Sequence, residues 1–156
     1  MLLRTRVLPK EAKFSKVLVA GTMGTELDGF NIHWEGIVRT PYGDSSGIFL
    51  GEIEGNPLAV FGRHHGHFAH HQVDPSNVNY LANFYAIRKI RNPNEKQEVL
   101  SVSMVGTLDE KVEPSHLVVP DGCNMKGVQR LSFFGDGVVT HVENPSFCSE
   151  LSNQIY

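Results

Sequence analysis

Two cysteines in 156 residues, Cys123 and Cys148, are too few for a disulfide framework or a four-ligand zinc motif, so they read as reduced thiols of an intracellular protein. Charge of one sign is not in excess either. The 14 lysines and arginines stand against 17 aspartates and glutamates, a balance with no general attraction for nucleic acid or an anionic membrane. Any anion recognition must therefore be local. No apolar run approaches the roughly 20 residues that span a bilayer, so a soluble protein without membrane insertion is expected. Internal repeats, low-complexity tracts and linker-like shifts of composition are also missing. What remains is enough for one core, since 40% of the 156 residues are hydrophobic.

The N-terminal MLLRTRVLPKEAKFSK carries no acid before Glu11 but lacks the serines and the amphipathic pattern of an organelle-targeting segment. Residues 1–15 are therefore read as a surface arm, with a cytoplasmic location expected and a mitochondrial one as the alternative. Residues 16–156 are read as one α/β domain with more strand than helix. Lys16 to Gly21 is a short apolar run closed by GTMGT, the pattern of a buried strand feeding a glycine-rich turn. Trp34 to Thr40, Gly47 to Glu54 and Pro57 to Gly62 are strand-like segments separated by PYGDSSG and EGN, which predicts a meander of hairpins. Helical spacing of Val78, Leu81, Ala82, Tyr85 and Ile87 predicts a helix from Val78 to Arg91, with Pro75-Ser76 as its start signal. Further strands are expected at Val99 to Val105 and His116 to Pro120, and a hairpin across Leu131 to Phe134 and Val138 to Val142. A closing helix with Ser146 as a possible N-cap is expected before Tyr156.

Three constellations can carry chemistry. Gly21 to Thr25 places small residues at a strand end, where backbone N–H groups and the hydroxyl of Thr22 or Thr25 can approach an oxyanion, although such glycines are more often only a turn. The second is Arg63-His64, which opens the stretch GRHHGHFAHHQVDPSNVNYLAN. The guanidinium is a planar fork matched to phosphate and the imidazole a directional donor. His64, His65, His67, His70 and His71, five of the eight histidines, crowd this loop. They suit an anionic ligand. Zinc is the competing reading, but only Asp74 accompanies them as a further ligand and the i, i+4 histidine pair of hydrolase helices is missing, so no metal site is assigned. The third constellation is Ser101, Ser103 and Gly106-Thr107 at another strand end, which offers hydroxyls and amides to the same anion.

Taken in order, VLVAGTMGT, VRTPYGDSSGIFLGEIEG, RHHGHFAHHQVDPSNVNYLAN, SVSMVGTLDEKVEPSHLVVPDG and LSFFGDGVVTHVENPSFCSEL resemble the trimeric class of purine nucleoside phosphorylases, and within it the methylthioadenosine and methylthioinosine phosphorylase branch. The resemblance runs from about Lys16 to the C-terminus. It implies an α/β fold with a mixed, twisted and partly barrel-like sheet flanked by helices and truncated on the C-terminal side. It implies phosphorolysis: inorganic phosphate, as co-substrate and without a further cofactor, attacks the anomeric carbon of methylthioadenosine, methylthioinosine or inosine and releases the purine. By position, Gly21, Thr22, Gly24, Thr25, Arg63, His64 and Ser103 would bind phosphate. Met104, Val105 and Gly106 would line the floor under ribose and base, and His71 would lie near the sugar 5′ substituent. His141 would reach the pocket of a neighbouring subunit in a homotrimer.

Departures from the family pattern set the limits of that implication. Met23 stands where the family has a serine or threonine, and Met104 is bulky where it has a small residue. The histidine loop is longer than usual. The family's purine-binding acid or amide, its ribose-packing methionine and several helices follow the point at which this sequence stops. The resemblance therefore leaves two readings: a phosphorylase or part of one, weak or inactive as the isolated chain, or a non-catalytic descendant acting as a structural or interaction subunit. In either, a homo-oligomer or a partner chain is expected to cover the sheet.

Overall fold

The described fold is built around a five-stranded sheet whose central strands are buried along most of their length. The computed structural model describes residues 4–21, 27–65, 73–122 and 147–155, divided between two compact units, Met1–Met104 and Val105–Tyr156. In the first unit the run after residue 15 becomes β1 (Lys16–Ala20), followed by β2 (Phe30–Gly36), β3 (Arg39–Thr40), β4 (Gly43–Asp44), β5 (Gly47–Ile53), β6 (Asn56–Gly62), helix α1 (Tyr80–Lys89) and β7 (Glu98–Val102). Five strands form a mixed sheet in the order β2-β5-β6-β1-β7. β2, β5 and β6 are antiparallel neighbours, whereas β1 lies between β6 and β7 and is parallel to both. This is the mixed sheet of an α/β fold, with the expected meander on one side and a β-α-β crossover on the other.

Side chains alternate across a strand, and both faces of the central strands are buried. Ile48, Leu50, Ala59, Phe61 and Val17 pack on one side with Ala86, Ile87 and Ile90 of the α1 region. Phe49, Val60 and Ala20 pack on the other with Ile37. That two-sided burial explains why β5 and β6 read as continuous apolar runs. Their hairpin closes through Glu54 and Gly55, both with positive φ (50° and 76°), between the paired residues Ile53 and Asn56. A two-residue loop with this backbone follows the twist of the strands, and Gly55 adopts it freely whereas Glu54 does so under strain.

The segment ahead of β1 is not a free arm. Arg6 N–H donates to Ile37 O at 2.8 Å and Phe14 N–H to Ile90 O at 2.7 Å, and Ala12 is buried in the core beside Leu8 and Phe14. Helix α1 starts two residues later than its apolar spacing predicts. Asn79 is its N-cap, accepting from Ala82 N at 3.1 Å, and the Pro75-Ser76 signal instead forms a separate 3₁₀ turn, Pro75–Asn77, capped by Asp74. At its other end Arg88 and Lys89 answer the negative pole of the helix. β7 stops at Val102 rather than Val105.

The second unit is described by residues 105–122 and 147–155. The strand expected at His116 to Pro120 does not form: the backbone is irregular, with Leu117 and Val118 exposed. Three consecutive apolar residues between Pro114 and Pro120 lack the alternation that one buried face imposes, and among the described residues no strand pairs with them. Helix α2 (Ser149–Ile155) forms where a closing helix is expected. The hairpin from Leu131 to Val142 and the Ser146 cap lie outside the described residues.

Two predictions follow from local geometry. Glu54→Asn relieves a left-handed backbone, because asparagine tolerates it, and should raise stability by on the order of 1 kcal/mol in chemical denaturation. An unchanged midpoint would argue against strain at this turn. Asp74 is held below the ordinary aspartate value of 3.8, first by the Ser76 hydroxyl, then by the Ser76 backbone N–H, with a smaller contribution from His64. A lowered folded-state pKa means the capping contribution is complete above the unfolded value and is lost as pH falls through the folded one. Carbon-detected NMR titration should place the Asp74 midpoint below 3.8, and Ser76→Ala should move it upward. A midpoint indifferent to Ser76→Ala would remove the hydroxyl as the cause.

Candidate phosphate site

Parallel register places the site. Ala20 of β1 is paired with Gly62 of β6 on one side and with Val102 of β7 on the other. The next residue on each strand is therefore Gly21, Arg63 and Ser103, three positions far apart in sequence that emerge side by side at one sheet edge. The carboxyl ends of parallel strands are where ligands settle in open α/β sheets, because the chain turns away there and leaves a crevice. The ladder extends one step into these residues: Arg63 N–H donates to Ala20 O and Gly21 N–H to Val102 O, each at 2.9 Å.

The side chains meet at that edge. Arg63 Nη2 donates to Ser103 Oγ at 3.0 Å. A Cβ on Gly21 would crowd Val102 O at 3.1 Å and come into contact with Arg63 Nη2 at 3.4 Å, so glycine lets the β1 and β7 backbones approach beside the guanidinium. Arg63 is half-buried, Ser103 is exposed, and no described carboxylate forms an ion pair with Arg63. Its buried Nε has no hydrogen-bond partner among the described residues. A guanidinium with a spare donor, a serine hydroxyl beside it and a glycine backbone underneath is a donor set matched to a tetrahedral oxyanion.

The described contacts of His64 are with Val73. His64 is buried, with Nδ1 3.3 Å from Val73 O, and its backbone oxygen accepts from Val73 N–H at 2.7 Å. These contacts fix the ring against the far end of the histidine loop. Met104 is 73% exposed. Val105 and Gly106 begin the second unit. Val105 is 81% exposed and a Cβ at Gly106 would meet nothing within 4 Å. Thr22, Gly24, Thr25, His71 and His141 lie outside the described residues. Among the described residues no three histidine, cysteine, aspartate or glutamate side chains gather as metal ligands, and no helix is long and apolar enough to cross a membrane.

Sequence reading gave no role to Ser46, Asn79 or Asn83, yet these tie the site to the rest of the unit. Asn79 Nδ2 donates to Tyr42 O at 2.7 Å. One helical turn later, Asn83 Oδ1 accepts from Ser46 N at 2.7 Å and Asn83 Nδ2 donates to Ser46 Oγ at 3.0 Å. The Ser46 hydroxyl in turn donates to Arg63 O at 2.9 Å. The available signal was two asparagines four residues apart in PSNVNYLAN, a spacing that puts both amides on one helix face.

No protein-family model matches the chain. The S-methyl-5'-thioadenosine phosphorylase of Chloroflexus aurantiacus is 40% identical over 120 residues, 74% of this chain and 39% of that protein. The enzyme of the same name from Geobacter sulfurreducens is 31% identical over 142 residues, 89% of this chain and 48% of that protein. Among solved structures, a methylthioadenosine phosphorylase from an antarctic soil metagenomic library superposes with a TM-score of 0.66 at 32% identity, over 85% of this chain and 44% of that one. This chain thus spans less than half the length of these relatives. On both sequence and fold, the chain belongs to the purine nucleoside phosphorylase family.

Proposed function

We propose that the chain binds inorganic phosphate at the Gly21, Arg63 and Ser103 edge, and that it does so as part of a purine nucleoside phosphorylase acting on methylthioadenosine, methylthioinosine or inosine. The observation that carries this reading is the meeting of Arg63 Nη2, Ser103 Oγ and the bare Gly21 backbone at the ends of three parallel strands. The names of the relatives support it. In such a reaction phosphate attacks the anomeric carbon as the bond to the purine nitrogen breaks. The sugar passes through a cationic, oxocarbenium-like state, so an anion held in place both supplies the nucleophile and stabilises the developing charge. Arg63 orients the phosphate by its fork and Ser103 fixes a second oxygen. The products are the free purine and a ribose 1-phosphate, or its methylthio analogue. The same reading assigns Thr22, Gly24 and Thr25 to phosphate, His64 to the edge of that site, and His71, Met104, Val105, Gly106 and, across a homotrimer interface, His141 to the nucleoside.

Arg63→Ala should weaken phosphate binding by about 1.5–3 kcal/mol, the range for hydrogen bonds to charged groups. Isothermal calorimetry with inorganic phosphate measures this directly. An affinity unchanged in the variant, or no binding by the parent chain, would sink the assignment.

Catalysis is the more demanding test. The described residues furnish donors for phosphate but none identified for the departing purine, and acid or hydrogen-bond assistance to a leaving group contributes on the order of 10²–10⁴ in rate. The 156-residue chain on its own is therefore expected to bind phosphate while releasing adenine from methylthioadenosine slowly at best. Fast phosphate-dependent release, abolished by Arg63→Ala, would show that the chain carries the purine half as well.

A further inference from the structure

The direction in which Arg63 points depends on how its own peptide groups are held. Its N–H is fixed to Ala20 O. Its carbonyl lies on the other side, facing β5, and there the regular ladder ends: Gly47 pairs with Gly62, so Ser46 stands opposite Arg63. Ser46 does not continue the ladder with its N–H. That group goes to Asn83 Oδ1 at 2.7 Å, and the serine hydroxyl reaches Arg63 O at 2.9 Å instead.

Asn83 decides the polarity of this contact. A hydroxyl has one proton to give, and the Ser46 oxygen already accepts from Asn83 Nδ2 at 3.0 Å. Its proton is thereby directed onto the Arg63 carbonyl. The amide of Asn83 grips Ser46 at two atoms, and both residues are buried, at 9% and 8% exposure, where water does not compete. A polar pair sealed in this way, rather than sheet pairing, sets the last peptide before the chain leaves β6 for the histidine loop.

We propose that Ser46 and Asn83 are positioning residues for Arg63: the Asn83–Ser46–Arg63 relay from α1 to the end of β6 holds the guanidinium in register with Ser103 and Gly21. The inference deepens the phosphate-site reading and rests on it for its functional meaning. The long arginine side chain magnifies a tilt at its Cα, so loosening the peptide displaces the fork from Ser103 and opens the buried Nε to solvent. Phosphate then meets a mobile cation in place of an oriented one.

The test uses the full 156-residue chain labelled with ¹⁵N-arginine. The buried Arg63 Nε–H gives a slowly exchanging NMR signal, assigned by its loss in Arg63→Lys. Ser46→Ala should accelerate its exchange about tenfold and weaken inorganic phosphate binding by a similar factor, the consequence of losing one hydrogen bond near the upper end of the usual net range. Ser46→Thr, which keeps the hydroxyl, should restore both. If Ser46→Ala does not fold, Asn83→Asp decides: its carboxylate still accepts from Ser46 N–H but no longer donates to Oγ, and Nε–H exchange must rise. Exchange equal to the parent in the folded variant, or Ser46→Thr behaving like Ser46→Ala, overturns the relay. If the parent binds no phosphate while Nε–H exchange still responds to Ser46→Ala, the relay stands and the phosphate reading falls.

Discussion

Parallel pairing of β6, β1 and β7 is the constraint on which the site depends. Because Ala20 is in register with both Gly62 and Val102, the residues that follow are delivered to one edge without any long-range search by side chains. Parallel neighbours require a crossover, and α1 provides the one between β6 and β7. The helix is therefore more than cover for the apolar face of Ile48, Leu50 and Phe61. It also fixes the depth at which Arg63 and Ser103 leave the sheet.

A second layer of control is polar and local. In the stretch from Val38 to Gly47, Ser45 N–H donates to Val38 O and its hydroxyl accepts from Val38 N, while Thr40 Oγ1 donates to Gly43 O and accepts from Tyr42 N. These bonds close the small β3-β4 ribbon into a rigid turn. The Asn79 and Asn83 amides then attach that turn to α1 at Tyr42 and Ser46. An apolar interface would tolerate sliding of one element on another. Directional bonds at two points, one helical turn apart, do not. The crossover helix, the turn and the end of β6 are thus joined by directional bonds.

Legibility in the sequence followed the physics of each signal. β1, β5 and β6 were readable because burial on both faces leaves continuous apolar runs, and the EGN turn was readable because two positive φ angles favour glycine. The start of α1 was displaced: Pro75 and Ser76 carry a start signal, but Asp74 uses it to cap a 3₁₀ turn, and Asn79 then caps the helix proper. Leu117 to Val119 looked like a strand because strand propensity is local, whereas a strand exists only with a neighbour. Gly21, Arg63 and Ser103 were nameable from residue type, yet nothing local in the sequence states that they touch. That knowledge resides in the register. His64 adjoins Arg63 in sequence, and the described partner of its ring is the Val73 carbonyl.

The state of Arg63 is the feature least consistent with a purely structural role. A half-buried guanidinium is usually paired with a carboxylate, because desolvating a charge is costly and a donor left without a partner loses roughly 1–3 kcal/mol. Here the described surroundings offer one serine hydroxyl to Nη2 and nothing to Nε. Hydrophobic packing would be equally well served at this edge by a neutral side chain, and a surface ion pair would be made further out, as Arg39 does with Asp44 at 3.1 Å. A cation fixed at both of its backbone groups and without an ion pair to any described acid is what the proposed phosphate site requires. Local disagreement of this kind with the rules that stabilise a core is expected at a binding position, and it supports the proposed phosphate reading.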